Sequence, residues 1–126
     1  MSRIVKEIDV EGRSLKALFD TGSLRSYLRA EFRPAATRKV SPISVGLGGT
    51  VRQLDERCDF TARIDDAEFD MTAYVVEELR ETEHGVLDAL VGALTMDEWY
   101  IKLDPQKGEL DLSGLRRREF TEYPNE

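Results

Sequence analysis

Turn signals cut this chain at short intervals, and that spacing limits what it can fold into. Glu11-Gly12-Arg13, Gly48-Gly49, Asp65-Asp66-Ala67 and Asp104-Pro105-Gln106-Lys107-Gly108 each interrupt an apolar or alternating run. The runs between them are short. Ile4, Ile8 and Val10 alternate with Lys6 and Glu7, and Ser14 to Phe19 follows the first turn, so an opening hairpin is expected. Ile43–Leu47 and Thr50–Leu54 form a second hairpin around Gly48-Gly49, a pair that tolerates positive φ. Phe60–Ile64 and Phe69–Val76 form a third. Tyr100–Leu103 and Leu110–Leu112 flank the last turn. Residues 29–42 are polar with Pro34 and Pro42 and read as a connection with room for one helical turn, and Glu77–Gly85 reads as an acidic loop. Thr95 is placed to cap one short helix, Met96 to Trp99. The expected fold class is mainly β, a small barrel-like domain with a single short helix near its end. The domain is expected over residues 1–114, with 115–126 a polar tail.

Composition narrows the function. The 126 residues are enough for one domain, and 40% hydrophobic with 34% charged residues fits a globular chain. A net charge of −7 disfavours a nucleic-acid partner, since phosphates would be repelled. Arg116-Arg117-Arg118 is followed by Glu119 and Glu122 and reads as a solvated tail. No apolar run reaches the length of a membrane span, and the charged start lacks the apolar stretch of a signal peptide. Cys58 is the only cysteine, so no disulfide can form within the chain, and a cytoplasmic location is expected. Cys58 itself reads as a small residue in or near the core. His84, the only histidine, sits in a polar stretch and reads as a surface-loop residue. No Cys/His cluster at ligand spacing accompanies it, so neither metal nor other cofactor is expected.

One segment carries chemistry. Ala17-Leu18-Phe19 runs straight into Asp20-Thr21-Gly22-Ser23, so a carboxylate emerges from the end of an apolar strand. Gly22 permits a sharp backbone path there. Thr21 and Ser23 supply short hydroxyls that can hold the loop, and the Ser23 hydroxyl is expected to donate to the Asp20 carboxylate.

This stretch resembles the active-site strand and loop of the retropepsins, the retroviral-type aspartic proteases. Two further segments match in the expected order. Val45-Gly46-Leu47-Gly48-Gly49-Thr50-Val51 resembles the glycine-rich flap hairpin, and Ala89-Leu90-Val91-Gly92 resembles the apolar-apolar-glycine motif that precedes the family's helix. The resemblance spans about residues 4 to 112. It implies a retropepsin-like closed β-barrel and an aspartic endopeptidase acting on a peptide or protein substrate, with Asp20 catalytic. Thr21 would bond across a homodimer interface, and Gly22 and Ser23 would support the loop. Val45, Gly46, Leu47, Gly48 and Gly49 would form the flap over the substrate. Leu90, Val91 and Gly92 would pack beneath the active-site loop. Only one Asp-Thr-Gly is visible, so the resemblance implies a homodimer, with Ile4–Val10 and Leu110–Leu112 as candidates for an intersubunit sheet. Ser23 is followed by Leu24 and Arg25 where retroviral enzymes carry a small and then an acidic residue, and Ala93 stands where an arginine often follows the glycine. These departures resemble a cellular or prokaryotic relative. The alternative is a retropepsin-like module kept for dimerisation or peptide binding with little or no catalysis.

Overall fold

The computed structural model describes residues 3–79, 81–83 and 85–121. Its strands are β1 (Arg3–Val10), β2 (Arg13–Asp20), β3 (Tyr27–Arg29), β4 (Thr37–Leu47), β5 (Thr50–Ile64), β6 (Ala67–Val76), β7 (Glu81–Thr82), β8 (Gly85–Val86), β9 (Ala89–Val91), β10 (Lys102–Asp104) and β11 (Glu109–Asp111). The helices are α1 (Ala93–Glu98) and α2 (Ser113–Thr121), and Ala30–Phe32 forms one 3-10 turn in the connection after β3. The protein is mainly β, as its turn spacing implies. His84 lies outside the described residues, as do residues 122–126 of the expected tail.

Seven strands form one sheet in the order β1-β2-β9-β3-β6-β5-β4, and β1 also pairs with β5 through Asp9↔Arg63 and Val10↔Ala62. The three expected hairpins are its antiparallel pairs. Two of them turn in two residues with positive φ at both, Glu11 (52°) and Gly12 (82°), then Gly48 (59°) and Gly49 (83°). That backbone matches the twist of the flanking strands. The short β3 and β9 join these hairpins. β9 runs parallel to β2 and antiparallel to β3, and β3 runs parallel to β6.

Side-chain parity divides the interior. On β2, Leu15, Ala17 and Phe19 enter a large cluster with Ile8, Phe60 and Phe69, while Leu18 enters a smaller one with Tyr27, Val45 and Leu90. Strand side chains alternate between faces, so Asp20 shares the Leu18 side. Cys58 is fully buried in the large cluster, and burial pushes its thiol up to about 11. At pH 8 only about one molecule in a thousand then carries the reactive thiolate, even before access is considered. Iodoacetamide should therefore leave native Cys58 unlabelled while labelling it fully in denaturant. Prompt labelling of the native protein would show that β5 is not closed over this residue.

The structure departs from the sequence reading in four places. Glu77–Gly85 is not wholly a loop, because Glu81–Thr82 (β7) pairs with Gly85–Val86 (β8). Residues 29–42 are not a plain connection, because β4 begins at Thr37. Its early part is held by Arg38–Asp59 and Lys39–Asp55 ion pairs across to β5. Pro42 falls in the register shift between Lys39 and Ile43, where the ladder needs no N–H from it. The first helix starts at Ala93 with Gly92 as its N-cap, and Thr95 is inside it and buried. Two first-turn donors are taken by the loop, with Ala93 N–H on the Ser23 carbonyl (2.7 Å) and Leu94 N–H on the Leu24 carbonyl (3.1 Å). The helix start therefore asks less of a side-chain cap.

A second helix exists, so the expectation of one helix is wrong. The boundary expected after Gly114 falls within α2. Leu112 and Leu115 are buried in the large cluster, and the Asp111 carboxylate accepts both the N–H and the hydroxyl of Ser113 at the helix start. Within the chain, all of β1 pairs with β2, and β11 pairs along one edge with β10. Among the described residues no helix is long and apolar enough to cross a membrane.

Candidate active site

Asp20 ends β2 and is only 6% exposed. Burying a carboxylate costs several kcal/mol unless it is compensated. Two groups compensate it. The Gly22 N–H donates to Oδ1 at 2.8 Å, and Arg3 Nε stands 3.4 Å from Oδ2. Arg3 comes from β1, where the register pairs it directly with Asp20. The Ser23 N–H closes the turn on the Asp20 carbonyl at 3.2 Å. The Ser23 hydroxyl does not reach the carboxylate as expected. It donates to the Arg25 carbonyl at 2.9 Å, because the loop bends away and presents that carbonyl first.

The loop after Asp20 is fixed by the segment that follows β9. A Cβ on Gly92 would lie 2.3 Å from the Arg25 oxygen, closer than atoms can pack, so only glycine lets the two backbones meet. The Gly92 N–H donates to Ser26 Oγ at 2.9 Å, and Ser26 Oγ also bonds Thr95 Oγ1 at 3.1 Å. With the Ala93 and Leu94 bonds, this docks the loop on the start of α1. Leu90 faces the small cluster and Val91 the large one. Leu90 and Val91 pair with Leu18 and Phe19, immediately beside the strand that carries Asp20.

A groove of about 1050 Å³ opens over this loop. Asp20, Gly22 and Ser23 line it together with Val45, Gly46, Leu47 and Gly48, and Leu18 and Leu90 of the small cluster also line it. Gly49 and Val91 do not line it, and Thr21 is exposed in a separate recess with Met96 and Ile101. Burial raises the Tyr27 phenol above its ordinary range, so this groove residue is a neutral hydroxyl at physiological pH. Arg52 donates from near the hairpin tip to the Glu78 carbonyl at 2.9 Å, tying that part of the hairpin to the Glu77–Glu78 segment that also lines the groove.

Sequence reasoning missed two residues. Arg3 was legible in principle, since a two-residue turn at Glu11-Gly12 fixes every partner back along the hairpin. Asp88 was not. Its carboxylate accepts the Lys16 N–H (2.9 Å) and pairs with Arg29 (3.1 Å), which sets β9 between β2 and β3. Among the described residues, no group of three or more His, Cys, Asp or Glu side chains is arranged to hold a metal ion. One buried carboxylate in a groove lined by both charged and apolar residues can bind and polarise a polar group, and a water activated between two carboxylates needs a second one. Comparisons with protein-family models and with curated proteins find no match for this sequence.

Proposed function

We propose that the protein is an aspartic endopeptidase of retropepsin-like fold, in which two Asp20 carboxylates of a homodimer activate one water. The observation that carries this reading is the groove itself. It is lined both by the buried Asp20, at the end of an apolar strand, and by Val45–Gly48 of a glycine-turned hairpin. The pairing of β1 with both β2 and β5 brings the sheet round on itself, which supports a closed barrel. In such an enzyme the two carboxyl groups share one proton. The ionised carboxylate takes a proton from water, and the protonated one donates to the scissile carbonyl oxygen, so the hydroxide adds to the carbonyl carbon. Arg3 supplies a compensating charge where two carboxylates meet. An extended peptide would lie along the groove, pairing its backbone with the hairpin. The single thiol suits a reducing compartment, and we place the enzyme in the cytoplasm.

The test is pepstatin, whose hydroxyl mimics the tetrahedral intermediate. It should raise the melting temperature of the wild type and leave Asp20→Asn unmoved. An equal shift in both proteins would remove Asp20 from the binding site.

The hairpin should act as a lid. Gly48→Val or Gly49→Val puts a branched side chain at positive φ, at a cost of about 1–2 kcal/mol. No neighbouring atom lies within 4 Å of a Cβ at either position, so the fold should survive. Peptide cleavage should show a raised KM or a lowered kcat. If hydrogen exchange found residues 45–51 among the best-protected amides of the free protein, the lid assignment would fail.

A further inference from the structure

A second recess, of about 500 Å³, shares only Arg25 with the lining of the groove that holds Asp20. Its size suits a small ligand. On β5, Cys58 and Phe60 turn into the core, so Arg57, Asp59 and Thr61 share the opposite face. The register sets these three beside Tyr74, Thr72 and Asp70 of β6. All six line the recess, together with Arg25 of the loop and Glu98 of α1.

Two positive charges here have no carboxylate of their own. Arg29, Arg33, Arg38, Arg63 and Arg116 each pair with one. Among the described residues, no ion pair or hydrogen bond reaches the guanidinium of Arg25 or Arg57. Arg25 stands over the Tyr74 ring at 5.6 Å, a contact that uses none of its N–H donors. Arg57 Nε is enclosed without a hydrogen-bond partner. An enclosed charged donor left unmatched is costly, and it calls for a group from outside the chain. The carboxylates of the recess are committed or distant. Asp59 accepts from Thr72 Oγ1 (2.7 Å) and from Arg38 (2.6 Å), and Arg57 acts on it only through space. Asp70 accepts from Thr61 Oγ1 at 2.8 Å. The Thr61–Asp70 pair lies about 13 Å of strand away from the Arg57–Tyr74 pair. The recess therefore has a cationic end at Arg25 and Arg57 and an anionic end at Asp70.

That polarity selects the ligand. A phosphate dianion drawn to the two arginines would also meet Asp59, Asp70 and Glu98. A molecule with one carboxylate and one ammonium, separated by an extended backbone, meets each end with the opposite charge. Three residues of extended peptide span about 10 Å, and the reach of the arginine side chains bridges the remainder.

We infer that this recess binds a short peptide by its two charged ends, with the α-carboxylate on Arg25 and Arg57 and the ammonium toward Asp70. The inference does not depend on Asp20 being catalytic. The experiment is an NMR titration of the isotope-labelled protein with trialanine, its C-terminal amide, its N-acetyl form and inorganic phosphate, with circular dichroism as the folding control for variants. Trialanine should give saturable shifts at Thr61, Thr72 and Tyr74. The amide should bind about 10-fold or more weakly, and so should trialanine to Arg57→Gln and to Arg25→Gln, whose side chain is exposed. Acetylation should weaken binding to the wild type but not to Asp70→Asn. Asp20→Asn should bind trialanine like the wild type, so the recess and the protease reading fail separately. The absence of saturable shifts in the millimolar range would overturn the inference. So would equal binding of acid and amide, tighter binding of phosphate at the same residues, or loss of trialanine binding in Asp20→Asn.

Discussion

Asp20→Asn should abolish peptide cleavage while leaving the protein folded. The amide nearly preserves the shape of the carboxyl group, and its oxygen can still accept the Gly22 N–H now held at 2.8 Å. The fold around it is set by Leu18, Phe19 and their neighbours, which the substitution does not touch. The chemistry is different. An amide cannot take a proton from water at neutral pH, and a dimer would lose both members of its pair at once. General acid–base catalysis by a positioned group is worth about 10²- to 10⁴-fold, so the turnover of a peptide pool should fall by about that much. The Arg3 ion pair is lost too, but its guanidinium is half exposed and regains water. Melting temperature should therefore change little, and the dimer should tighten at neutral pH, where two carboxylates would otherwise repel. The measurement is kcat and KM on a peptide cleaved by the wild type, with sedimentation on the same preparations. Full activity in Asp20→Asn would end the assignment.

Gly92→Ala should be the most damaging single methyl in the protein near this site. Its Cβ would fall 2.3 Å from the Arg25 oxygen, 2.7 Å from the Arg25 carbonyl carbon and 2.8 Å from the Leu24 oxygen. All three atoms are backbone, so no rotamer change relieves the clash. Either the loop after Asp20 moves out or the start of α1 moves away. Both motions break the bonds from Ala93 and Leu94 and the bond from Gly92 to Ser26. Overpacking of this kind costs about 3 kcal/mol, which lowers the melting temperature by about 10 °C in a domain of this length. Cleavage should fall further than stability explains, because displacing a catalytic group by about 1 Å can cost roughly 10²-fold. Gly46→Ala is the control. Nothing lies within 4 Å of a Cβ there, so its melting temperature should match the wild type. Equal stability of both variants would show that the loop and α1 are not wedged together.

Much of the site was legible from the chain because the forces that make it are local. Turn chemistry at Glu11-Gly12 and Gly48-Gly49 fixed two hairpins, and apolar alternation fixed which faces they bury. The strand ending at Asp20, the glycine hairpin and the Leu90–Gly92 segment could each be read from neighbouring residues. The errors lie where distant partners replaced local ones. Thr95 has the residue type of a cap, yet its hydroxyl bonds Ser26, and loop carbonyls take two donors of the helix start. Ser23 has the reach to bond Asp20, yet the Arg25 carbonyl is nearer once the loop is docked. Residues 113–121 look polar, and only the core beneath Leu112 and Leu115 makes a helix of them.

The sequence alone determined the strand-rich class, the hairpin registers and the placement of a carboxylate at the end of a buried strand, because each depends on backbone sterics and period-two alternation over a few residues. Tertiary structure decided that the Asp20 loop and the Val45–Gly48 hairpin line one groove. It also decided that Arg3 stands at the carboxylate and that Asp88 holds β9 between β2 and β3. Those contacts join residues far apart in the chain. They exist only because burying the two apolar clusters folds the sheet so that its distant strands meet.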